Sequence, residues 1–540
     1  MPENTSTNKK KMYAIVIRPN IASTLLAKCL PQELNLYEDT EKIDGNALVK
    51  DNKNVVELYQ SRGINVIDLH ASMQDALIKY IQKDPLYTTL FEERGPREAG
   101  PSFKDTIART PHSLEELMGD MRQWASEALS IFNDSLEHSR NGVKLTTEEW
   151  SLIEQQILKD RDEIMIRNNC SPKDAIHYAL AWNNLLFRGE GPIGMEKIMQ
   201  AYGAGRKDHV AGTTVVTRDG SIMKADGTRY SATMTLPVGS NIFFATDTHE
   251  VFSVEGENDY SVLLGNMQKL VRQAEPNLVR AGLINLGLDP AKIVQPEHIW
   301  EGGNLIKFFG NCQSDNSHKA IYIGITERTG YRAAQDMAMA LHGFISKNNV
   351  KVYVVDLPQG GNTTTEAQEN MHLDFKMNWF VEEDGKCAVV LNAPALQKSA
   401  GQEKKFYRVR ELVYRTDQHD LQRASTYLPS QTSEEIVDHF KRLQKEKIVS
   451  DIHMLKHGEH EFGANFVDGV TTGDVFIAPE TYPNLTSFVK SRGRNPILLS
   501  LVNNAAFGSI RCSTTSFYAA GDLLTILQND NAVRYIRKAA

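Results

Sequence analysis

Short runs of β-branched and aromatic residues recur along the chain, and most are followed by a stretch with helical spacing. The first run, at residues 13–17 (YAIVI), predicts a strand, followed by a helix near residues 54–61 and another strand at residues 63–69. The same order of elements recurs as a strand at residues 320–325, a helix at 331–346 and a strand at 350–357. It recurs again as a strand at residues 474–477, a helix near 485–492 and a strand at 496–501. Alternation of single strands with single helices is typical of α/β units. Units repeated along a chain predict a closed radial or a stacked arrangement.

The pattern changes between about residues 76 and 205, where helical spacing dominates. Apolar side chains recur at three- and four-residue spacing across residues 114–125. Thr146 and Glu149 have the spacing of a capping box, and Ser171 before a proline predicts another helix start. We therefore predict an α-helical insertion between two α/β units.

Polar stretches separate the predicted units. Residues 218–220 (RDG) are typical of a hairpin turn, and residues 399–405 are predicted to form a loop. Residues 417–448 are mostly polar and partly helical in pattern. The polar N-terminus is predicted to be disordered. The predicted organisation is a tail at residues 1–10, a first module at 11–75, a helical insertion at 76–205, and the remaining modules, with the catalytic residues, at 206–540.

The composition is that of a globular protein with more than one folding unit. The chain has 540 residues, of which 41% are hydrophobic and 24% are charged. Its formal net charge of −8 gives no electrostatic footprint for binding nucleic acid. No stretch is long and apolar enough to span a membrane, and the N-terminus lacks the apolar core of a secretory signal. We expect a cytoplasmic protein with neither nucleic acid nor a membrane as partner, with other secretion routes left open.

The cysteines are few and widely spaced. There are five of them, an odd number, which argues against a disulfide framework and for a reducing compartment. Neither C-x-x-C nor H-E-x-x-H occurs, so the sequence gives no strong signal for a metal site.

Three polar motifs stand out in the second half of the chain. They are Glu-Gly-Gly-Asn at residues 301–304, His-Leu-Asp at 372–374, and Arg-Cys-Ser at 511–513. A guanidinium is planar and cationic and offers five N–H donors, which carboxylates match in pairs. A thiolate can attack its central carbon while a histidine moves protons. The motifs together therefore predict chemistry on a guanidino group.

In this order, the motifs resemble those of the guanidino-group-modifying, or pentein, superfamily, and most closely those of arginine deiminases. Further matching segments are the strand that ends at Arg18, residues 241–247 and residues 324–329. A helical insertion after the first module is also a feature of arginine deiminases. The resemblance implies a five-module α/β-propeller (pentein) with an α-helical insertion, and no metal or organic cofactor.

The resemblance also implies the roles of three catalytic residues. Cys512 would attack the guanidinium carbon and form a covalent S-alkylthiouronium intermediate. His372 would protonate the departing amine and then deprotonate the incoming water, while Glu301 would orient His372 and contact the substrate. With arginine as substrate, the products would be citrulline and ammonia. The partner implied is a small-molecule guanidine, arginine or an analogue, and a homo-oligomer is left open.

Four further residues are implied in substrate binding: Asp247, Asp374, Arg328 and Asn304. Asp247 and Asp374 would clamp the guanidinium, and Arg328 would contact the substrate. Asp219 also resembles the family's Arg-Asp pattern, but Asp247 lies at a separation from Glu301 that fits one α/β unit.

Three features depart from the family pattern. Asn304 stands where the family has an acid after Gly-Gly, and Thr246 stands where it has an arginine before the first aspartate. The glycine-rich loop before the nucleophile is reduced at residues 503–508, where Phe507 is expected to reshape the pocket.

Several alternatives to an arginine deiminase remain open. An amidinotransferase would use the same cysteine, histidine and carboxylates, with an amine in place of water. A deiminase or dihydrolase of another guanidine, including protein arginine, is a second enzymatic alternative. The non-enzymatic alternative is a catalytically silent pentein that serves as a binding module, against which the presence of both Cys512 and His372 argues.

Overall fold

The chain is a mixed α/β protein in the computed structural model. The structure describes residues 11–31, 34, 43–92, 103–133, 142–189, 192–195, 197–198, 214–216, 222–224, 229–230, 233–239, 242–253, 259–269, 272–309, 318–358, 371–384, 386–392, 407–415, 426–455, 467–469, 473–477, 483–499, 511–519 and 521–537. No helix in this part of the chain combines the length and the apolar character needed to cross a membrane.

The strands in chain order are β1 Lys11–Val16, β2 Asn65–Asp68, β3 Pro192–Gly194, β4 Thr214–Val216, β5 Ile222–Lys224, β6 Arg229–Tyr230, β7 Thr233–Thr235, β8 His249–Ser253, β9 Tyr260–Leu264, β10 Ile293–Val294, β11 Leu305–Phe308, β12 Ala320–Ile325, β13 Lys351–Asp356, β14 Met377–Val381, β15 Cys387–Asn392, β16 Arg408–Arg415, β17 Thr426–Pro429, β18 Glu434–Glu435, β19 Val449–Leu455, β20 Val467–Gly469, β21 Asp474–Ile477, β22 Asn495–Leu498, β23 Thr514–Ala519 and β24 Ile536–Arg537.

The α-helices are α1 Ile21–Ala27, α2 Gly45–Ser61, α3 Leu69–Ile81, α4 Pro85–Glu92, α5 Phe103–Ala108, α6 Leu114–Asn133, α7 Thr147–Asn168, α8 Pro172–Arg188, α9 Ala245–Thr248, α10 Glu275–Asn285, α11 Tyr331–Ala340, α12 His342–Asn348, α13 Ile436–Lys445, α14 Pro483–Ser491, α15 Gly521–Gln528 and α16 Asp530–Val533. Short 3-10 helices occur at Pro290–Lys292, Gly302–Asn304 and Leu373–Phe375.

Five sheets of the described chain repeat one strand pattern. In each, a central strand pairs antiparallel with one neighbour and parallel with the other. Written with the central strand in the middle, the trios are β23-β1-β2, β8-β9-β10, β11-β12-β13, β14-β15-β19 and β20-β21-β22. Each parallel pair requires a crossover connection. The crossovers contain α2, α10, α11 with α12, α13 and α14 respectively.

The first sheet brings the two ends of the described chain together. β23, from near the C-terminus, lies antiparallel to β1, and β24 lies antiparallel to β2. Apolar side chains on one face of β1 pack against buried residues of α2, including Val55, Val56 and Tyr59. Arg537 donates two hydrogen bonds to Asp68, at 2.9 and 3.1 Å. The first module is therefore completed by the last part of the chain.

Helices α3 to α8 occupy the region between β2 and β3. The capping box predicted before α7 is confirmed, since Thr146 Oγ1 accepts from Glu149 N at 3.2 Å and Glu149 Oε2 accepts from Thr146 N at 2.9 Å. Ser171 caps α8 by accepting from Asp174 N at 3.1 Å. The apolar stripe of α6 packs on α8 in one buried cluster with Leu180.

Most of the predicted elements are confirmed, and their errors lie at boundaries. The helix predicted at residues 331–346 is broken at Leu341 into α11 and α12. The strand predicted to reach Leu69 ends at Asp68, because the Asp68 side chain caps the start of α3. Residues 417–448 contain α13, as predicted, and also β17 and β18. The tail at 1–10, the turn at 218–220 and the loop at 399–405 lie outside the described residues.

The packing of α3 on α10 depends on a glycine. A Cβ atom on Gly282 would lie 2.6 Å from Met73 Cγ and 3.0 Å from Leu69 Cδ1. We expect Gly282→Ala to lower the free energy of unfolding by about 1–3 kcal/mol through overpacking. Gly343→Ala is the matched control, because that position is helical and has no atom within 4 Å. It should be neutral or stabilising by up to ~1 kcal/mol. Urea unfolding measures both, and equal stabilities would contradict this packing.

Candidate active site

Five of the predicted site residues occupy equivalent points in four of the repeated sheets, whereas Arg328 follows the central strand β12. Each of the five lies immediately before the outer antiparallel strand: Asp247 in α9 before β8, Glu301 before β11, His372 and Asp374 before β14, and Cys512 before β23. The chain before β20 of the fifth sheet lies outside the described residues. The repeated architecture therefore brings residues that are far apart in sequence to one place.

His372 and Glu301 form the centre of the site. His372 Nε2 lies 3.0 Å from Glu301 Oε2, and both side chains are buried. Each residue precedes a short 3-10 helix, which fixes the direction in which its side chain leaves the backbone. The His372 ring stacks on Phe375 with 6.0 Å between ring centroids. The contact with Glu301 and the stacking on Phe375 hold the imidazole in one orientation.

The two glycines after Glu301 are required by close approaches. A Cβ on Gly302 would lie 1.7 Å from Thr246 O, the carbonyl just before Asp247. A Cβ on Gly303 would lie 2.2 Å from His372 Nδ1. Any larger residue would displace the Asp247 segment or the His372 ring, so the Gly-Gly pair lets three parts of the site meet.

Asn304 is fully engaged with the protein. Its side-chain amide donates to Thr326 Oγ1, Thr329 Oγ1 and Met371 O, each at 3.1 Å. Its Oδ1 accepts from Leu373 N at 3.1 Å. These bonds hold the backbone on both sides of His372, and they leave the amide turned toward the protein.

Asp247 is held by an arginine that the sequence analysis did not single out. Arg272 Nη1 donates to Asp247 Oδ2 at 2.9 Å, and Arg272 Nε donates to Glu275 Oε2 at 2.9 Å. The other Asp247 oxygen, Oδ1, is buried, has no hydrogen-bond partner in the described ranges of the chain, and lies 4.0 Å from His372 Nδ1. Asp247 therefore has one oxygen fixed by Arg272 and one directed toward the imidazole.

Neither carboxylate oxygen of Asp374 has a hydrogen-bond partner among the described residues, although the residue is completely buried. The nearest cation is Arg511, whose Nε lies 3.4 Å from Asp374 Oδ2 without a hydrogen bond. Arg511 Nη2 donates instead to Leu305 O at 2.6 Å and lies 3.5 Å from Glu250. Buried carboxylate oxygens are normally hydrogen-bonded, so the oxygens of Asp374 are suited to accept hydrogen bonds from a bound cation.

Arg328 lies on the far side of Glu301. Its Nη1 lies 3.0 and 2.9 Å from the two carboxylate oxygens of Glu301, and both residues are buried. Glu301 therefore sits between one guanidinium and the imidazole of His372.

Cys512 is joined to the Asp247 segment through the backbone. Thr246 N donates to Cys512 O at 3.2 Å, and Thr246 Oγ1 lies 2.6 Å from Arg511 O and 2.7 Å from Thr514 O. The Cys512 side chain is 2% exposed and lies in an apolar cluster. Its neighbours there are Ala27, Ile43, Leu48, Phe243 and Phe244. The residues of the reduced loop at 503–508, with Phe507, lie outside the described residues, as does Asp219.

These neighbours shift the acid–base properties of the site in opposite directions. Burial alone would lower the pKa of His372, but Asp247 and the hydrogen bond to Glu301 raise that pKa above its ordinary 6.5. Burial would raise the pKa of Glu301, but Arg328 and His372 hold that pKa well below its usual range. Burial raises the pKa of Asp374 to about 6. The site therefore favours a protonated imidazole beside an ionised Glu301.

Arg272, Glu275 and Arg511 were not predicted as site residues. Arg272 and Glu275 have the spacing of an ordinary helix-surface ion pair, and only their burial distinguishes them. Burial raises the pKa of Glu275 to about 7, against the opposing effect of Arg272. Arg511 lies next to Cys512 in the predicted cysteine motif, and this position could have identified it as a site residue.

Comparisons with known proteins give weak matches. No family model matches the chain, and no curated protein does. Among solved structures, the chain is similar to the N-terminal domain of ArgZ, an arginine dihydrolase from the ornithine-ammonia cycle in cyanobacteria. The identity is 13% over 51% of this chain and 76% of that one, with a TM-score of 0.31. A dimethylarginine dimethylaminohydrolase matches at 14% identity over 52% and 77% of the two chains, also with a TM-score of 0.31.

AgrE, in a ternary complex with ornithine and NAD⁺, matches at 12% identity over 52% of this chain, with a TM-score of 0.33. The match covers 31% of the AgrE chain. One of these neighbours is an arginine dihydrolase and another is a dimethylarginine dimethylaminohydrolase. Similarity this low carries no conclusion about activity, which has to be inferred from the side chains of the site.

The site geometry predicts how the pKa of His372 responds to Asp247. Asp247→Asn removes a charge that raises this pKa, so the pKa should fall. The variant should still fold, because Arg272 keeps Glu275 as a partner. NMR titration of the histidine ring protons measures the shift, with a His372→Gln spectrum for assignment. Asp438→Asn, an exposed change on α13, should leave the pKa unchanged. An unaltered His372 titration in Asp247→Asn would contradict the geometry.

Proposed function

We propose that the protein is a cysteine-dependent hydrolase of a guanidino group, similar in reaction to an arginine deiminase. Arginine and water would yield citrulline and ammonia. The observation that carries this proposal is a set of buried carboxylate oxygens on Asp247 and Asp374 that have no hydrogen-bond partner in the described part of the chain, beside a histidine that is hydrogen-bonded to Glu301.

The unpartnered oxygens fit a guanidinium better than a simple ammonium. Asp247 Oδ1 and both oxygens of Asp374 together offer acceptors from two carboxylates. A guanidinium carries five N–H donors in one plane and pairs with carboxylates through parallel hydrogen bonds. Such a cation would supply the donors that the two buried aspartates lack.

The first half-reaction would begin at Cys512. The Cys512 thiolate would attack the guanidinium carbon, forming a C–S bond and a tetrahedral adduct. His372, whose pKa is raised, would give its proton to the departing nitrogen as the C–N bond breaks and ammonia leaves. The intermediate would be a thiouronium bonded to Cys512.

The second half-reaction would restore the enzyme. The neutral His372 would take a proton from water as the hydroxide attacks the thiouronium carbon. The adduct would then lose its hydroxyl proton to solvent as the C–S bond breaks, which would release the ureido product and the Cys512 thiolate and leave His372 protonated. Backbone hydrogen bonds between the Cys512 and Asp247 segments support this placement of nucleophile and clamp.

Two residues assigned to substrate binding are better suited to positioning. Asn304 holds the backbone around His372, and Arg328 pairs with Glu301. We propose that both act through His372 and Glu301, and that a direct Arg328 contact with a substrate carboxylate would require it to leave Glu301.

We also propose that the five repeated sheets form the modules of an α/β-propeller, with the helices α3 to α8 as an insertion. The common strand pattern and the equivalent positions of the site residues support this arrangement. The pairing of β23 with β1 supports closure of the ring by the chain ends.

Amidino transfer is distinguished from hydrolysis by the products. Incubation with a panel of guanidines, including arginine and an arginine-containing peptide, would be followed by mass spectrometry. Ammonia and a ureido product support the proposal. Transfer of an amidino group to an added amine would show that the protein is an amidinotransferase. If no guanidine gives a product, the remaining alternative is a non-catalytic binding module.

The nucleophile assignment predicts that Cys512→Ala abolishes turnover and leaves the fold intact. Acid quenching of the unaltered enzyme with substrate should trap an adduct on the peptide that contains Cys512, detected by mass spectrometry. Cys170→Ala is the control, because Cys170 lies in a separate helical cluster and should be dispensable. Full activity of Cys512→Ala, or an adduct on another cysteine, would refute the assignment.

The clamp assignment predicts opposite effects of Asp374→Asn on activity and stability. Because burial raises the pKa of Asp374 to about 6 from 3.8, the folded protein binds this proton more tightly than the unfolded chain. Stability is therefore lost as pH rises through that window. Asp374→Asn should abolish turnover and raise the free energy of unfolding at neutral pH by at most about 3 kcal/mol.

In the unaltered enzyme, kcat/KM should fall below a pH of about 6, because a protonated Asp374 cannot clamp a cation. The corresponding fall in kcat should occur at a lower pH than the fall in kcat/KM. In the enzyme–substrate complex the bound cation favours the ionised Asp374 carboxylate. Asp438→Asn should change neither activity nor stability. An active Asp374→Asn enzyme, or a strongly destabilised one, would contradict the assignment.

A further inference from the structure

A separate cavity with a volume of about 540 Å³ lies between the first sheet and the helical region. It is lined by residues that follow β1, by α2, α3 and α7, and by the C-terminal strand β24. None of the residues of the candidate active site lines it.

The wall of this cavity is strongly cationic. Two carboxylates line it, Asp68 and Glu163, against six basic side chains. The basic residues are Arg18, Lys53, Lys159, Arg167, Arg534 and Arg537. Two more carboxylates, Asp75 and Asp160, are buried behind the wall. The surface that faces the cavity therefore carries an excess of positive charge.

Three of these carboxylates, Asp68, Asp75 and Glu163, are each shared by two cations, whereas Asp160 accepts hydrogen bonds from Gln156 and Asn183. Asp68 lies 3.2 Å from Arg18 Nε and 2.9 Å from Arg537 Nη2. Asp75 lies 2.9 Å from Arg167 Nε and 2.8 Å from Arg534 Nη2. A carboxylate carries one negative charge, and its two basic partners carry two positive charges. Each shared carboxylate therefore leaves positive charge on the cavity side uncompensated.

Glu163 is shared in the same way, at 2.5 Å from Arg18 and 3.9 Å from Lys159. Arg18 and Arg167 form a floor and are each 14% exposed, Arg537 and Arg534 are 26% and 38% exposed, and the lysines form a rim. Lys53 and Lys159 have side chains 69% and 54% exposed. Buried guanidiniums below exposed ammoniums are a suitable arrangement for capturing an anion and then binding it in place.

We propose that this cavity binds a small multivalent oxyanion. Guanidinium groups pair with phosphate and carboxylate oxygens in two-point hydrogen bonds, and several arginines around one cavity favour a ligand with more than one negative charge. The volume is in the range of small-molecule sites. The shared chemistry is clustered anionic oxygen, which phosphate compounds and polycarboxylates both provide.

Isothermal titration calorimetry at fixed ionic strength tests the proposal with pyrophosphate, inorganic phosphate and citrate as probes. Pyrophosphate, citrate or both should bind at one site per chain, and more tightly than inorganic phosphate. Binding of pyrophosphate alone would identify phosphate chemistry, and binding of citrate alone would identify polycarboxylate chemistry.

Two variants locate the binding. Arg534→Gln should weaken it about tenfold, since it removes a cation that lines the cavity while Asp75 keeps Arg167 as partner. Lys53→Glu with Lys159→Glu should weaken it at least as much. Lys441→Glu, an exposed charge reversal on α13, is the matched control.

No binding of any probe would overturn the proposal, as would equal losses in the rim double variant and in Lys441→Glu. Binding that survives in Arg534→Gln and in the rim double variant would also overturn it. Because the readout is binding at a site outside the catalytic residues, these outcomes are independent of the proposed hydrolysis.

Discussion

A charge buried in a protein needs a partner, and this requirement organises the candidate active site. Around His372, acidic and basic groups alternate in an unbroken series: Glu275, Arg272, Asp247, His372, Glu301 and Arg328. Removal of an inner member would leave its neighbours buried with uncompensated charge. The series fixes the imidazole between two carboxylates, and the raised pKa of His372 follows from that position.

The backbone is shaped so that this series can form. Gly302 and Gly303 allow the Glu301 turn to approach the Asp247 segment and the His372 ring, where no side chain would fit. Thr246 fixes the Cys512 segment through its hydroxyl, and Asn304 fixes the His372 segment through its amide. At the positions of Thr246 and Asn304, the arginine deiminase pattern has a charged residue. In this chain, neutral polar side chains at these two positions form hydrogen bonds with backbone groups. They add no charge to the alternating acidic and basic groups around His372.

The sequence predicted the central strands and crossovers well because their patterns are local. β12 and β21 have the predicted bounds, since each is a short apolar run between clear boundaries. The pairing of β23 with β1 could not be predicted in this way, because it joins residues from opposite ends of the chain. In the site, the motifs identified the main residues, whereas Arg272 and Glu275 carry no motif and only tertiary burial reveals them.

The arrangement also indicates an order of events under the proposed function. Without substrate, the Cys512 side chain lies among apolar neighbours, and the Asp247 and Asp374 carboxylates belong to the same site. A thiolate there would add negative charge to a region that already has unpartnered carboxylate oxygens. A bound guanidinium would compensate those carboxylates and place positive charge beside the sulfur, which favours the thiolate. Binding of the cation would therefore precede activation of the nucleophile, and the substrate itself would complete the series of alternating charges.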